Sequence, residues 1–537
     1  MSIRVLAILF LVTAAAPAAA QPFANASSSL AGYTAADATP QKACESLSTF
    51  TREGITTIQA RVVPATADTP QHCRVIGNIT PEVAFEVSLP DRWNRRFYMT
   101  GNGGLAGDAL DGETNADRTA ALTNGFVHAR TNTGHDARKE PSGSFVLSNP
   151  QKAIDYAYRA VHVTAETAKA IATDYYARPI TFSYWNSCSN GGRQGLLEAQ
   201  RFPDDFDGIV ANAPWVDQTG FTIGAMWNQK ALTEAPLPPA KLNLIAERVM
   251  ATCDAVDGLT DGLIDDPRAC RFDPTRDVPA CRAGADAPDC LTPAQAAAAK
   301  KIYDGPVSNG KPFFPGFMVG SEAVSAGRGG GAASGWLNAI VPAKPDAKPA
   351  DFNLAEGVMR YLVLDPPQPN YDAMTFDYDR DTALVERWSK LADAKDPDLS
   401  AFRKSSGKLI MTYGWADQIL QPMMGVNYYE AVVASNGRET ADFARLFMMP
   451  GVAHCGGGIG PDRIDAVTAV IDWVEKGTAP DSLLASKVTD GTVVRTRPLC
   501  PHPQVARYDG SGSIDEAANF SCVAPVRIGE NDRVLVR

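Results

Sequence analysis

The stretch Asn186-Ser187-Cys188-Ser189-Asn190-Gly191-Gly192 places a serine between small residues, directly after the apolar run Ile180–Trp185 and before the helical pattern Leu196-Leu197-Glu198-Ala199. A strand, a tight turn with a central serine and a helix describe a nucleophile elbow, in which the serine oxygen is exposed and the helix N-terminus faces a developing oxyanion. Ser187 stands where glycine is usual in GxSxG, but it is still small. An elbow serine requires an acid and then a histidine downstream, each after a strand. Lys408–Tyr413 leads into Gly414-Trp415-Ala416-Asp417, and Arg445–Met449 leads into Pro450-Gly451-Val452-Ala453-His454. Ser189, Asp417 and His454 are therefore the candidate nucleophile, orienting acid and general base. His502, between two prolines near the end, reads as a surface residue. The amide of Asn190 and that of Gly103 or Gly104, in the glycine turn after the strand Arg96–Thr100, are the candidate oxyanion donors.

The elements that must position these residues follow an α/β pattern with a largely parallel sheet. Strands are expected at Ala84–Leu89, Arg96–Thr100, Gly125–Ala129, Ile180–Trp185, Gly208–Ala211, Lys408–Tyr413 and Arg445–Met449. Helices are expected over Pro150–Thr173 and Asp462–Lys476, the second with Pro461 at its start. From Val216 to Ser400 strand-like runs are few, and local cysteine pairs, acidic turns and the glycine-rich stretch Gly327–Gly335 take their place. That stretch follows no strand and lacks a Lys-Ser/Thr ending, so it reads as a loop and not a phosphate cradle. The chain thus divides into a leader (1–20), a first core part (21–215), an inserted lid (216–400) and a second core part (401–537).

Ten cysteines are present and no CxxC pair occurs, which disfavours zinc ribbons and thioredoxin-like redox chemistry. Local spacing suggests Cys253–Cys270, Cys281–Cys290, Cys500–Cys522 and Cys44–Cys73. The remaining two, Cys188 and Cys455, flank the candidate serine and histidine. If those side chains meet, their neighbours fall within the ~4.4–6.8 Å Cα separation of a disulfide; the alternative is that both pair elsewhere or stay free.

Residues 1–20 carry Arg4, an apolar run from Val5 to Val12 and small residues Ala18–Ala20. This order describes an export signal cleaved near Ala20/Gln21, too short for a spanning helix. A secreted or periplasmic location without a membrane anchor is expected, and disulfides suit it. The net charge of −11 argues against a nucleic-acid partner. Oligomeric state is left open.

The Cys188-Ser189-Asn190-Gly191-Gly192 run, the Gly-Trp-Ala-Asp417 turn and the His454-Cys455 pair resemble the tannase and feruloyl esterase family, over most of the chain after the leader. The resemblance implies an α/β-hydrolase core with a large lid and hydrolysis of small aromatic carboxylic esters (hydroxycinnamoyl, galloyl or terephthaloyl) without an organic cofactor. It also implies a structural Ca²⁺ in the lid, held by the side chains of Asp254, Asp257 and Asp261 and the carbonyls of Leu259 and Leu263. Hard oxygens on a glycine-bent loop suit that ion; on the residues alone, a solvated acidic turn competes. Trp336, Phe352 and Tyr361 are candidate aromatic walls or plain lid core. Two rival functions share the motifs: a calcium-stabilised secreted binding protein with an inactive core, and an amidase or peptidase.

Overall fold

A computed structural model describes residues 22–323, 335–344 and 347–525. The leader, and most of the glycine-rich stretch, lie outside the described residues. Among the described residues nine strands form the central sheet: β1 (Ile55–Val63), β2 (His72–Ile79), β3 (Val83–Pro90), β4 (Arg96–Met99), β5 (Val127–Thr131), β6 (Phe182–Cys188), β7 (Gly208–Asn212), β8 (Lys408–Gly414) and β9 (Ala444–Met449), in the order β1-β2-β3-β5-β4-β6-β7-β8-β9. Pairing is antiparallel from β1 to β5 and parallel from β5 to β9. The sheet is therefore mixed: the parallel half carries the site, and the hairpin β1–β2 extends its far edge.

Alternation along the strands sends side chains into two cores. Phe97, Met99, Trp185, Ile209, Ala211, Leu409 and Met411 enter one. Tyr98, Tyr184, Val210, Ile410 and Phe447 enter the other. The first core is covered by α1 (Ala160–Tyr176), α2 (Asn190–Arg201) and α7 (Pro422–Asn436), and the second by α8 (Ala466–Lys476) with the N-terminal Phe23 and Tyr33. Burial on both faces explains why these strands read as short, nearly continuous apolar runs.

Two helices differ from the sequence expectation. α8 begins at Ala466, not at Asp462 after Pro461. Asp465 caps it, accepting from the Thr468 amide at 2.9 Å and from the amides of Phe23 (3.2 Å) and Asn25 (2.7 Å), so residues 456–462 stay free to form the histidine loop. The helix expected over 150–173 is interrupted by a π-helical turn, Asp155–Arg159, before α1. Such turns insert a residue into the ladder and occur frequently at functional sites; this one sits behind the elbow.

Between β7 and β8 lies a helical segment with α3 (Gln218–Glu234), α4 (Pro239–Cys253), α5 (Pro293–Asp304) and α6 (Ala350–Gly357). It adds no strand to the central sheet among the described residues and has its own apolar cluster around Leu242, Ile245, Val249, Ile302 and Trp336. After α8, two hairpins pair Leu483–Thr489 with Thr492–Leu499 and Val505–Tyr508 with Phe520–Val523. Five disulfides join Cys44–Cys73, Cys188–Cys455, Cys253–Cys270, Cys281–Cys290 and Cys500–Cys522. Among the described residues no helix is long and apolar enough to cross a membrane.

Candidate active site

Ser189 is the one residue between β6 and α2, with φ 63° and ψ −126°. A non-glycine residue there is strained, and the surroundings hold it in place. The Ser189 amide donates to Asn212 O (3.0 Å), and its carbonyl accepts from Arg193 N and Trp215 N (both 3.0 Å). The small residues of the motif are sterically required. A Cβ on Gly191 would collide with Ser187, whose own Cβ would lie 2.6 Å away, and one on Gly192 would sit 2.8 Å from Asn212 O and Pro214 Cα. The helix thus starts pressed against its strand, with the Asn190 amide at its N-terminus beside the serine.

Asp417 lies in the turn after β8 and is fully buried. Its Oδ1 accepts from the amides of Ile419 (2.9 Å) and Leu420 (2.8 Å), which fixes the carboxylate plane. Its Oδ2 is 2.8 Å from His454 Nδ1. His454 follows β9, and its own amide donates to Gln418 Oε1 at 3.1 Å. Gly414 permits this approach, since a Cβ there would collide with the Val452 carbonyl. The Cys188–Cys455 disulfide, with Cα atoms 5.9 Å apart, joins the residue before Ser189 to the residue after His454.

Ser189, His454, Gly103 and Gly104 line one cavity of about 580 Å³, whose apolar wall includes Trp215, Leu354, Ile419 and Leu420. That volume suits a small organic molecule. Gly103 and Gly104 both face it, so the geometry does not choose between them as second donor. Trp336 and Phe352 are buried in apolar clusters and Tyr361 packs partly buried on one; none lines the cavity, and among the described residues of the helical segment between β7 and β8 it is Leu354 on α6 that does. His502 is not a surface residue: its side chain is 6 % exposed, packed edge-on to Tyr429 and 3.4 Å from Glu430. The connection between the two C-terminal hairpins, where the His502 amide donates to Leu446 O, carries it inward.

Sequence reasoning missed the support behind Asn190. The fully buried Arg193 guanidinium donates to Asn190 Oδ1 (2.7 Å) and to the carbonyls of Ala157 (3.1 Å), Tyr156 (3.3 Å) and Ala392 (2.7 Å), and it lies over the Tyr156 ring. Burial pulls its pKa below the ordinary value. Tyr156, brought in by the π-turn, donates to Gly104 O (3.2 Å) and accepts from Gln218 Nε2 (2.8 Å). A helical i, i+3 spacing from Asn190 would have pointed to Arg193; Tyr156 had no comparable signal.

Asp254, Asp257 and Asp261 share one loop but their ligand atoms do not all lie within 4.8 Å of one another. Asp254 Oδ1 accepts from Gly262 N (3.0 Å), Asp257 Oδ1 from Leu259 N (3.0 Å) and Asp261 Oδ1 from Leu263 N (3.1 Å), while Asp261 Oδ2 is 2.5 Å from Arg497. Among the described residues, the group whose metal-ligating atoms all lie within 4.8 Å of one another is instead His162, Glu198 and Asp205.

Comparison with known proteins places this geometry in a family. The family model for tannase and feruloyl esterase matches residues 67–523. The chain belongs to that family. It is 34 % identical to the mono(2-hydroxyethyl) terephthalate hydrolase of Piscinibacter sakaiensis, over 86 % of this chain and 87 % of that one. The crystal structure of feruloyl esterase B from Aspergillus oryzae superposes with a TM-score of 0.77 at 27 % identity, covering 89 % of this chain and 99 % of that one. The tannin acyl hydrolase from Aspergillus niger shares the fold, with a TM-score of 0.70 at 21 % identity over 93 % and 95 % of the two chains. The protein is thus a carboxylic ester hydrolase with an α/β-hydrolase fold.

Proposed function

We propose that this chain is a secreted enzyme that cleaves small aromatic carboxylic esters through a serine acyl-enzyme. His454 takes the Ser189 proton as the oxygen attacks the ester carbonyl. Asp417 holds the Nδ1–H tautomer and stabilises the imidazolium. The amides of Asn190 and of Gly103 or Gly104 receive the oxyanion. His454 then protonates the leaving alcohol, and water repeats the sequence on the acyl-enzyme. The observation that carries this reading is the strained Ser189 backbone beside the disulfide that ties it to a histidine 2.8 Å from a buried aspartate. The test is a panel of hydroxycinnamate, gallate and terephthalate esters with matching amides, run with the parent and Ser189→Ala. Turnover of esters should vanish in the variant while its folded circular dichroism spectrum stays. A fluorophosphonate should label Ser189 in the parent. Retained ester turnover in Ser189→Ala would refute the assignment, and preferred amide turnover in the parent would move it to an amidase.

Residues 216–400 act in this reading as a lid, with Asp254, Asp257 and Asp261 and the carbonyls of Leu259 and Leu263 as a structural calcium site. The donor set fits: all ligands are hard oxygens, and Gly258 (φ 99°) and Gly262 (φ 78°) give the loop its bends. Asp254, Asp257 and Asp261 bring three carboxylates to one loop, and of these the guanidinium groups of Arg497 and Arg495 reach only Asp261, at 2.5 and 3.9 Å. Calcium should raise the melting midpoint over chelator; equal midpoints would remove the site. Residues 1–20 serve as a leader cleaved near Ala20/Gln21, which N-terminal sequencing of exported protein would check.

A further inference from the structure

A second cluster of ligating side chains lies on the far part of the helix layer, about 12 Å along α2 from Asn190 at 1.5 Å per residue. His162 projects from α1, Glu198 from α2, and Asp205 from the turn before β7. His162 Nδ1 is 2.6 Å from Asp205 Oδ2. The ring is held by stacking on Phe202, with centroids 3.8 Å apart and planes 7° from parallel. At 2.6 Å from the Asp205 carboxylate Nδ1 carries the ring proton and donates it, while Glu166 Oε2 lies 3.7 Å from the other ring nitrogen, Nε2; the Nδ1 lone pair becomes available to an ion when that proton leaves.

Glu198 is the unexplained member. It is 1 % exposed, and no amide or donor side chain reaches its carboxylate oxygens; their polar neighbour is the Asp205 carboxylate, with which they can share a proton. Buried polar groups are normally satisfied, and a bare carboxylate is costly to bury. Yet Glu198 presents an oxygen within 4.8 Å of both other ligand atoms. Solvent reaches the cluster, because the side chains of His162 and Asp205 are 25 % and 12 % exposed.

We propose that His162 Nδ1, Glu198 and Asp205 bind a divalent transition-metal ion of the zinc type, separate from the ester-cleaving centre. One imidazole nitrogen and two carboxylates with an open fourth position suit zinc, with ligand distances of about 2.0–2.2 Å. The 2.6 Å His162–Asp205 contact then opens as the ion enters, and any proton held on Nδ1 or on Glu198 leaves to solvent. The ion crosslinks α1, α2 and the turn before β7. The competing occupant is a proton: burial and the adjacent Asp205 push the Glu198 carboxyl well above its usual range.

The test uses the full chain, stripped with chelator, re-equilibrated with excess Ca²⁺ to fill the lid loop, and titrated with Zn²⁺ against a chromogenic indicator. Parent, Glu198→Gln and His162→Gln are compared. The parent should take up one equivalent of Zn²⁺ that both variants bind at least ~10-fold more weakly, and Zn²⁺ should raise the melting midpoint of the parent alone. Should Glu198→Gln fail to fold, His162→Gln decides. Equal uptake by parent and His162→Gln, or no uptake by the parent, overturns the site and leaves the proton. Because the readout is metal and not turnover, this result is independent of the ester chemistry.

Discussion

Removing the Cys188–Cys455 disulfide should cost stability and catalysis together. The bond spans 267 residues. In the chain-entropy account, closing a loop of that length in the unfolded chain contributes about 5–6 kcal/mol at 25 °C. The Cys253–Cys270 and Cys281–Cys290 bonds nested inside shorten the loop, but the dependence is logarithmic and the figure hardly moves. With about 2.1 cal/mol/K of unfolding entropy per residue over a chain of this size, the melting midpoint should fall by about 5 °C in Cys188→Ala/Cys455→Ala. The bond also sets where the histidine loop sits over the elbow, and a displacement of about 1 Å at such a site can cost about 10²-fold in rate. The expected result is therefore kcat lower by one to two orders of magnitude, with KM little changed because the apolar wall is intact. The control is Cys500→Ala/Cys522→Ala, whose bond spans 22 residues and lines no part of the cavity. Its entropy contribution is about 3–4 kcal/mol, and kcat should hold. Calorimetry and steady-state kinetics on both variants decide. A Cys188→Ala/Cys455→Ala enzyme with the parent midpoint and the parent kcat would refute the reasoning.

Asp417→Asn should lower kcat by about 10³–10⁴-fold with the melting midpoint nearly unchanged, since the isosteric amide keeps its volume but no longer fixes the tautomer of His454. Stopped-assay kinetics with a chromogenic ester check this; a loss under tenfold would remove Asp417 from the triad. Asp351, buried on α6 with one carboxylate oxygen unpartnered, is pushed from 3.8 to about 8 by burial. Its folded pKa is raised, so the folded chain holds a proton that the unfolded chain has lost, and stability falls as pH rises from about 4 to 8. Asp351→Asn should escape that fall, gaining little at pH 4 and up to about 5 kcal/mol at pH 8 as a ceiling. Midpoints measured across pH should diverge; parallel curves would show that Asp351 is ionised in the folded chain.

The legible parts of the site were those with local rules. A serine between small residues, an aspartate after β8 and a histidine after β9 are each tied to a strand end, and strands buried on both faces announce themselves as apolar runs. The hairpin β1–β2 escaped because β1 is mostly exposed and polar, Ile55-Thr56-Thr57-Ile58-Gln59-Ala60, and gains its order by pairing with β2. The start of α8 was misplaced by four residues because Pro461 is a generic helix-start signal, whereas the cap at Asp465 is fixed by the N-terminal Phe23 and Asn25 amides, over 400 residues away in sequence. The lid aromatics were ambiguous because large aromatic side chains serve cores and pockets alike. Trp336 went to the apolar cluster of the helical segment, and the smaller Leu354 reached the cavity.

The residues behind Asn190 join these two classes. Arg193 sits inside the elbow motif, so its position was readable, but its partners come from elsewhere: the π-turn through Tyr156 and Ala157, and the end of the lid segment through Ala392. A fully buried guanidinium is tolerable when carbonyl oxygens and an aromatic face satisfy it, and here it holds the Asn190 side chain at 2.7 Å. The positive charge therefore lies behind the helix end that follows Ser189. Its position depends on three segments closing on it together. The elbow, the π-turn and the lid end are thereby coupled through one cation, and a shift in any of them changes the field at Ser189. The helical segment between β7 and β8, whose described residues line the cavity through Leu354, is also linked to the elbow through the Ala392 carbonyl.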